Sequence, residues 1–96
     1  MALTIIAKLG AVPGKEETLY EECRKLIEPT RKEDGCINYD MFRSIEEPGT
    51  FMFYENWENR PLWERHMQSP HLTEFSSKTD GMSNLWELFL GDAVTP

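Results

Sequence analysis

The segment at positions 51–57, Phe-Met-Phe-Tyr-Glu-Asn-Trp, constrains this chain more than any other. It reads as a strand with Phe51, Phe53, Glu55 and Trp57 on one face and Met52, Tyr54 and Asn56 on the other. Both faces carry large side chains, so both need cover. A lone two-layer domain leaves one face of its sheet wet, whereas helices on one side and a second subunit on the other cover both. The chain has 96 residues, enough for one core and a single domain over 1–96. A monomer of this size buries only about 60–65% of its unfolded surface, so pairing with a second copy adds burial where it is scarce.

The rest of the chain supplies the neighbours of that strand. Residues 3–12 alternate, with Leu3, Ile5, Ala7, Leu9 and Ala11 on one face, and Pro13-Gly14 ends this first strand. Leu19, Cys23, Leu26, Ile27 and Thr30 recur at helical spacing, with Glu16 and Glu17 at the positive end of the helix. Pro29 within the pattern removes a hydrogen bond to the carbonyl of Lys25, which predicts a kink or a helix in two pieces. Gly35 is a left-handed stop. Residues 36–44 form a second strand, joined to the third through the turn around Pro48-Gly49.

Asn59 caps a short helix carrying Leu62, Trp63, His66 and Met67. Ser69-Pro70 restarts the chain as a further helix with Leu72, Phe75, Ser76 and Thr79 inward. Residues 84–90 form the last strand, with Leu85, Glu87 and Phe89 alternating with Trp86, Leu88 and Leu90; Trp86 and Leu88 are expected beside Met52 and Tyr54 on the face left for a second subunit. The order strand, helix, strand, strand, helix pair, strand is the α+β, ferredoxin-like split βαβ arrangement: a four-stranded antiparallel sheet with helices on one face.

Charge narrows the partners. Seventeen acidic against ten basic residues give a net charge of −7, which repels phosphate backbones and anionic lipid surfaces, and no basic cluster offsets it. Neither nucleic acid nor membrane is an expected partner. The longest apolar run is broken at Thr4 and Lys8, too short for a signal sequence or a span, so a cytoplasmic location is expected. Cys23 and Cys36 suit neither a zinc ribbon nor a redox pair and are expected as reduced, packed thiols.

Both histidines fall around the break between the last two helices. His66 lies one turn after Leu62 on the inward stripe, as a structural residue or as a base able to take a weakly acidic proton near neutrality. His71 sits in the first turn of its helix, as a donor or a surface residue. Glu55, between Phe53 and Trp57, needs a partner or a raised pKa; it either pairs with Arg43 or orients a histidine. Phe53, Tyr54, Trp57 and Trp63 are either core or the walls of a slot for a planar ligand. Nucleotide-binding glycine loops, a serine-nucleophile elbow and an H-E-x-x-H zinc motif are all missing. Two histidines with four residues between them, and Pro70 before the second, make a poor metal pair, so no metal or other cofactor is expected.

Pro13-Gly14-Lys15, Gly35-Cys36-x-x-Tyr39, Tyr54-Glu55-x-Trp57 and His66-x-x-Ser69-Pro70-His71 together resemble the antibiotic biosynthesis monooxygenase domain family over nearly the whole chain. The resemblance implies a dimeric α+β barrel, two ferredoxin-like sheets packed face to face, with a small-molecule pocket between sheet and helices. It further implies cofactor-independent oxygenation of quinol- or anthrone-like aromatics, which react with dioxygen once deprotonated. His66 is then the base, His71 or Tyr54 a donor, and Phe53, Trp57 and Trp63 the walls, with Glu55 among the substrate-binding residues. Haem-degrading relatives use an Asn, a Trp and a His where Ala7, His66 and Ser76 stand here, which disfavours haem degradation. The alternatives are a non-catalytic dimeric metabolite-binding module and a relative that isomerises a small sugar-derived signal.

Overall fold

The computed structural model describes residues 2–95. Strands β1 (Leu3–Ala11), β2 (Cys36–Arg43), β3 (Thr50–Trp57) and β4 (Ser83–Asp92) form one antiparallel sheet in the order β2-β3-β1-β4. Helices α1 (Glu16–Arg24) and α2 (Ile27–Arg31) link β1 to β2, while α3 (Arg60–Met67) and α4 (Pro70–Lys78) link β3 to β4. This is the ferredoxin-like order expected from the periodicities. No helix among the described residues is long and apolar enough to cross a membrane.

The expected break at Pro29 is a separation of α1 from α2 at Lys25 and Leu26, where the Leu26 N–H turns back to the Cys23 carbonyl at 3.1 Å. Asn59 Oδ1 accepts from the Leu62 N–H at 3.0 Å and Ser69 Oγ from the Leu72 N–H at 3.4 Å, so both capping residues act as read.

The register places Ile5, Ala7 and Leu9 of β1 opposite Glu55, Phe53 and Phe51 of β3 on one side and Leu90, Leu88 and Trp86 of β4 on the other. Residues directly opposite share a face, so all of these lie on the face the helices cover. Leu19, Cys23 and Leu26 pack there against Phe51, Phe53 and Tyr39, and Trp63 against Ile5 and Trp57. The opposite face carries Ile6, Phe42, Met52, Tyr54 and Phe89. Two expectations are corrected. Trp86 and Leu88 lie on the helix side rather than beside Met52 and Tyr54, and Ser76 of α4 is exposed. Cys23 is buried and Cys36 half-buried, both as free thiols, and burial pushes their pKa values up to about 12 and about 11.

Candidate active site

A cavity of about 30 Å³ lies between the sheet and α3 and α4, with Ala7, Tyr39, Phe53, Glu55, Trp63 and His66 in its wall. Trp86, Leu9, Met67, Leu72 and Phe75 line both this cavity and an adjoining open cleft of about 560 Å³ between α4 and β4. The inner end has room for a water-sized molecule. The cleft is large enough for an aromatic ligand.

His66 is 2% exposed. Its Nδ1 meets Glu33 Oε2 at 2.5 Å, and His71 Nε2 meets the same oxygen at 2.8 Å. A carboxylate oxygen accepts, so each of those ring nitrogens donates; in the neutral His66 ring, Nε2 is then the lone-pair nitrogen, with no hydrogen-bond partner among the described residues, in a residue that lines the cavity. Burial holds the His66 pKa below its ordinary value, against the opposing pull of Glu33. Local backbone geometry makes this contact. Gly35 takes φ +85°, its carbonyl accepts from the Glu58 N–H at 2.9 Å, and a Cβ there would come within 2.3 Å of Leu62 Cδ1. The connection carrying Glu33 thereby lies close against α3. The Ser69 N–H closes onto the His66 carbonyl at 3.0 Å, folding the start of α4 back so that the two imidazole centroids are 6.0 Å apart.

Glu55 is 4% exposed, and its Oε1 accepts from the Trp57 indole N–H at 2.9 Å. Burial pushes its pKa up to about 7 despite that hydrogen bond. Trp57 is fully buried and its ring lies against His66, centroids 4.7 Å apart. Tyr39, opposite Glu55 in the register, is buried with its ring centroid 5.7 Å from that of His66; burial raises its phenol pKa well above the usual value.

Of the residues singled out in the sequence, Phe53, Glu55, Trp63 and His66 therefore converge on one cavity. Tyr54 does not; it stands on the opposite face of the sheet, 42% exposed. Trp57 supports His66 and Glu55 from behind rather than lining the cavity. His71 holds Glu33 and borders an outer groove with it. The Arg43 partner foreseen for Glu55 is corrected as well: Arg43 pairs with Glu17 and lies over the Tyr20 ring at 4.5 Å. Sequence reasoning missed Glu33, which lies in an aperiodic charged stretch, and used Tyr39 only as part of a motif.

Glu33, His66 and His71 are the one set among the described residues whose ligand atoms lie close enough, within 4.8 Å of one another, to suggest a metal. The sequence spacing made the two histidines a poor metal pair; in the fold both rings nonetheless reach one carboxylate. Yet both nitrogens meet the same oxygen at 2.5 and 2.8 Å. Bonds of about 2.0–2.2 Å to one ion hold its ligand atoms roughly 3 Å or more apart, so the trio is a hydrogen-bonded chain.

A sequence profile described as antibiotic biosynthesis monooxygenase matches residues 2–78. The Probable quinol monooxygenase YgiN of Escherichia coli K12 is 28% identical over 90 residues, covering 82% of this chain and 86% of that protein. Protein sll1783 of Synechocystis is 32% identical over 77 residues, 80% of this chain, which spans only about half, 52%, of that relative. Among solved structures, PA3566 of Pseudomonas aeruginosa has a TM-score of 0.94 at 30% identity, covering 98% of this chain and 95% of that one. Another, described as an antibiotic biosynthesis monooxygenase, has a TM-score of 0.90 at 30% identity with 97% and 99% covered.

Proposed function

The chain belongs to the antibiotic biosynthesis monooxygenase family, and from that premise we propose that it oxidises a small electron-rich aromatic, of the quinol or anthrone class, with dioxygen and without flavin, haem or metal. The observation that carries the reading is His66: buried, fixed by Glu33 at Nδ1, and part of the wall of a largely apolar cavity. Its depressed pKa keeps the ring neutral, the state in which it accepts a proton.

The reaction balances as AH2 + O2 → AO + H2O. His66 takes a proton from the substrate, and the resulting anion passes one electron to dioxygen. The radical pair combines in a carbon–oxygen bond, and the O–O bond then breaks so that one oxygen stays on carbon and the other leaves as water. The 30 Å³ inner cavity suits dioxygen and the cleft beside Trp86 and Phe75 suits the ring. The name of the Escherichia coli relative supports the quinol class.

The test is dioxygen uptake with a panel of reduced quinols and anthrones, comparing wild type with folded His66→Ala. A loss of about 10²- to 10⁴-fold in kcat is expected. Turnover by His66→Ala at the wild-type rate overturns the assignment. Tight ligand binding with no dioxygen uptake by the wild type makes the protein a binding module instead.

A further inference from the structure

We propose that Glu55 acts in this reaction as a neutral carboxylic acid, the group that protonates the outer oxygen of the substrate-bound peroxide. The role rests on the oxygenase reading above and gives that reading its acid.

Placement comes first. Strand alternation sets Glu55 on the helix-covered face, opposite Ile5 on β1 and Tyr39 on β2, and in the wall of the same cavity as His66. The titratable groups that face it are Glu33 from the connection before β2, Cys36 and Tyr39 from β2, and His66 from α3; β1 contributes only Ile5 and Ala7. Among the described residues no cation contributes to its shift. An ionised carboxylate there is a buried charge without a counter-charge, whereas the neutral acid is compatible with apolar walls. The indole N–H of Trp57 occupies Oε1 as a donor, which leaves the other oxygen to carry the acid hydrogen. The raised pKa, about 7, agrees with this placement.

The chemistry then has one group for each proton. His66 takes the first substrate proton, and combination with dioxygen leaves a peroxide anion on carbon. The Glu55 hydroxyl gives its proton to the terminal oxygen. For a substrate with a second hydrogen on that carbon, the C–H bond breaks and its electron pair forms the C=O bond while hydroxide leaves with the O–O pair. That second proton returns to the Glu55 carboxylate, and hydroxide takes the proton held by His66, so that both residues end as they began.

Glu55→Gln tests the role, because the amide keeps the size and the acceptor for Trp57 but has no acid proton. With a quinol or anthrone that the wild type oxidises, kcat should fall about 10²- to 10³-fold with KM within about threefold, and hydrogen peroxide or superoxide should appear in place of part of the oxygenated product. Glu55→Asp should recover part of the rate. Infrared difference spectra of wild type against Glu55→Gln at pH 6 should show the carbonyl stretch of a protonated carboxylic acid. A Glu55→Gln variant that turns over within about threefold of wild type, or an ionised Glu55 at pH 6, overturns the role while leaving the oxygenase reading in place. No dioxygen uptake by the wild type across the panel overturns that reading and this role with it.

Discussion

Glu33 and Glu55 are two carboxylates at one site under opposite conditions. Glu33 accepts from two imidazoles, and Glu55 from one indole with no cation acting on it among the described residues. Strand alternation made Glu55 visible in the sequence, but its partner was not, because the register was unknown. Arg43 stands opposite Phe51, four residues and about 13 Å along β2 from Tyr39, the true neighbour of Glu55. Glu33 gave no signal at all, since it lies in a connection 33 residues from His66. Glu33→Ala should lower kcat by roughly 10- to 10³-fold by freeing the His66 ring and its tautomer, and His71→Ala by less, since His71 reaches His66 only through Glu33; steady-state kinetics on folded protein decides both. Glu55 also sets a pH dependence of stability. Its pKa is about 7 when folded against an ordinary 4.5, so the folded chain holds a proton that the unfolded chain has released between those values. That contribution is fully present below pH 4.5 and lost as pH rises through 7. Relative to Glu55→Gln, the wild type should lose on the order of 3 kcal/mol between pH 4 and pH 8 in urea unfolding. The depressed His66 pKa acts in the other direction, lost as pH falls below 6.5, and is common to both proteins. Parallel pH profiles for the two would show Glu55 to be ionised in the folded state.

Among the elements, the positions with a local physical cause were legible and those set by packing were not. Asn59 and Ser69 cap their helices, and Pro29 splits α1 from α2, because each effect depends on the backbone within one turn. Alternation in β4 separated Trp86 and Leu88 from Phe89, but it does not say which set turns toward the helices. The register settles that, and at the sheet edge Trp86 stays 54% exposed even on the helix side, where it lines the cleft. Gly35 joins both kinds of cause. Its φ of +85° was readable as a helix stop, while its approach to Leu62 was not. Gly35→Ala combines left-handed strain with a Cβ that would overlap the Leu62 side chain, so a loss of about 2–4 kcal/mol is expected in urea unfolding. Because this turn holds Glu33 against α3, kcat should fall in the fraction that remains folded. A Gly35→Ala protein as stable and active as the wild type would show that the turn does not set the position of Glu33.

At the scale of the molecule, the sheet has one face covered by helices and one that carries Ile6, Phe42, Met52, Tyr54 and Phe89. Phe42 is 57%, Met52 39%, Tyr54 42% and Phe89 59% exposed, and Phe42 stands directly opposite Met52 as Ile6 does Tyr54 and Phe89, so these side chains form one contiguous patch. A patch of this kind marks an interface in a small domain, and a twofold axis lets it cover itself. A net charge of −7 on each copy opposes that contact at long range, so association should strengthen as salt screens the repulsion. Light scattering at micromolar concentration should give about twice 11.2 kDa, with the dimer favoured further on going from low to moderate ionic strength. Phe89→Glu places a charge at the β4 end of the patch, on a residue outside the cavity lining. It should yield monomers whose melting temperature lies below that of the wild type and no longer depends on protein concentration. If the wild type is instead a folded monomer at micromolar concentration, the patch has another role and the face-to-face barrel is wrong for this chain.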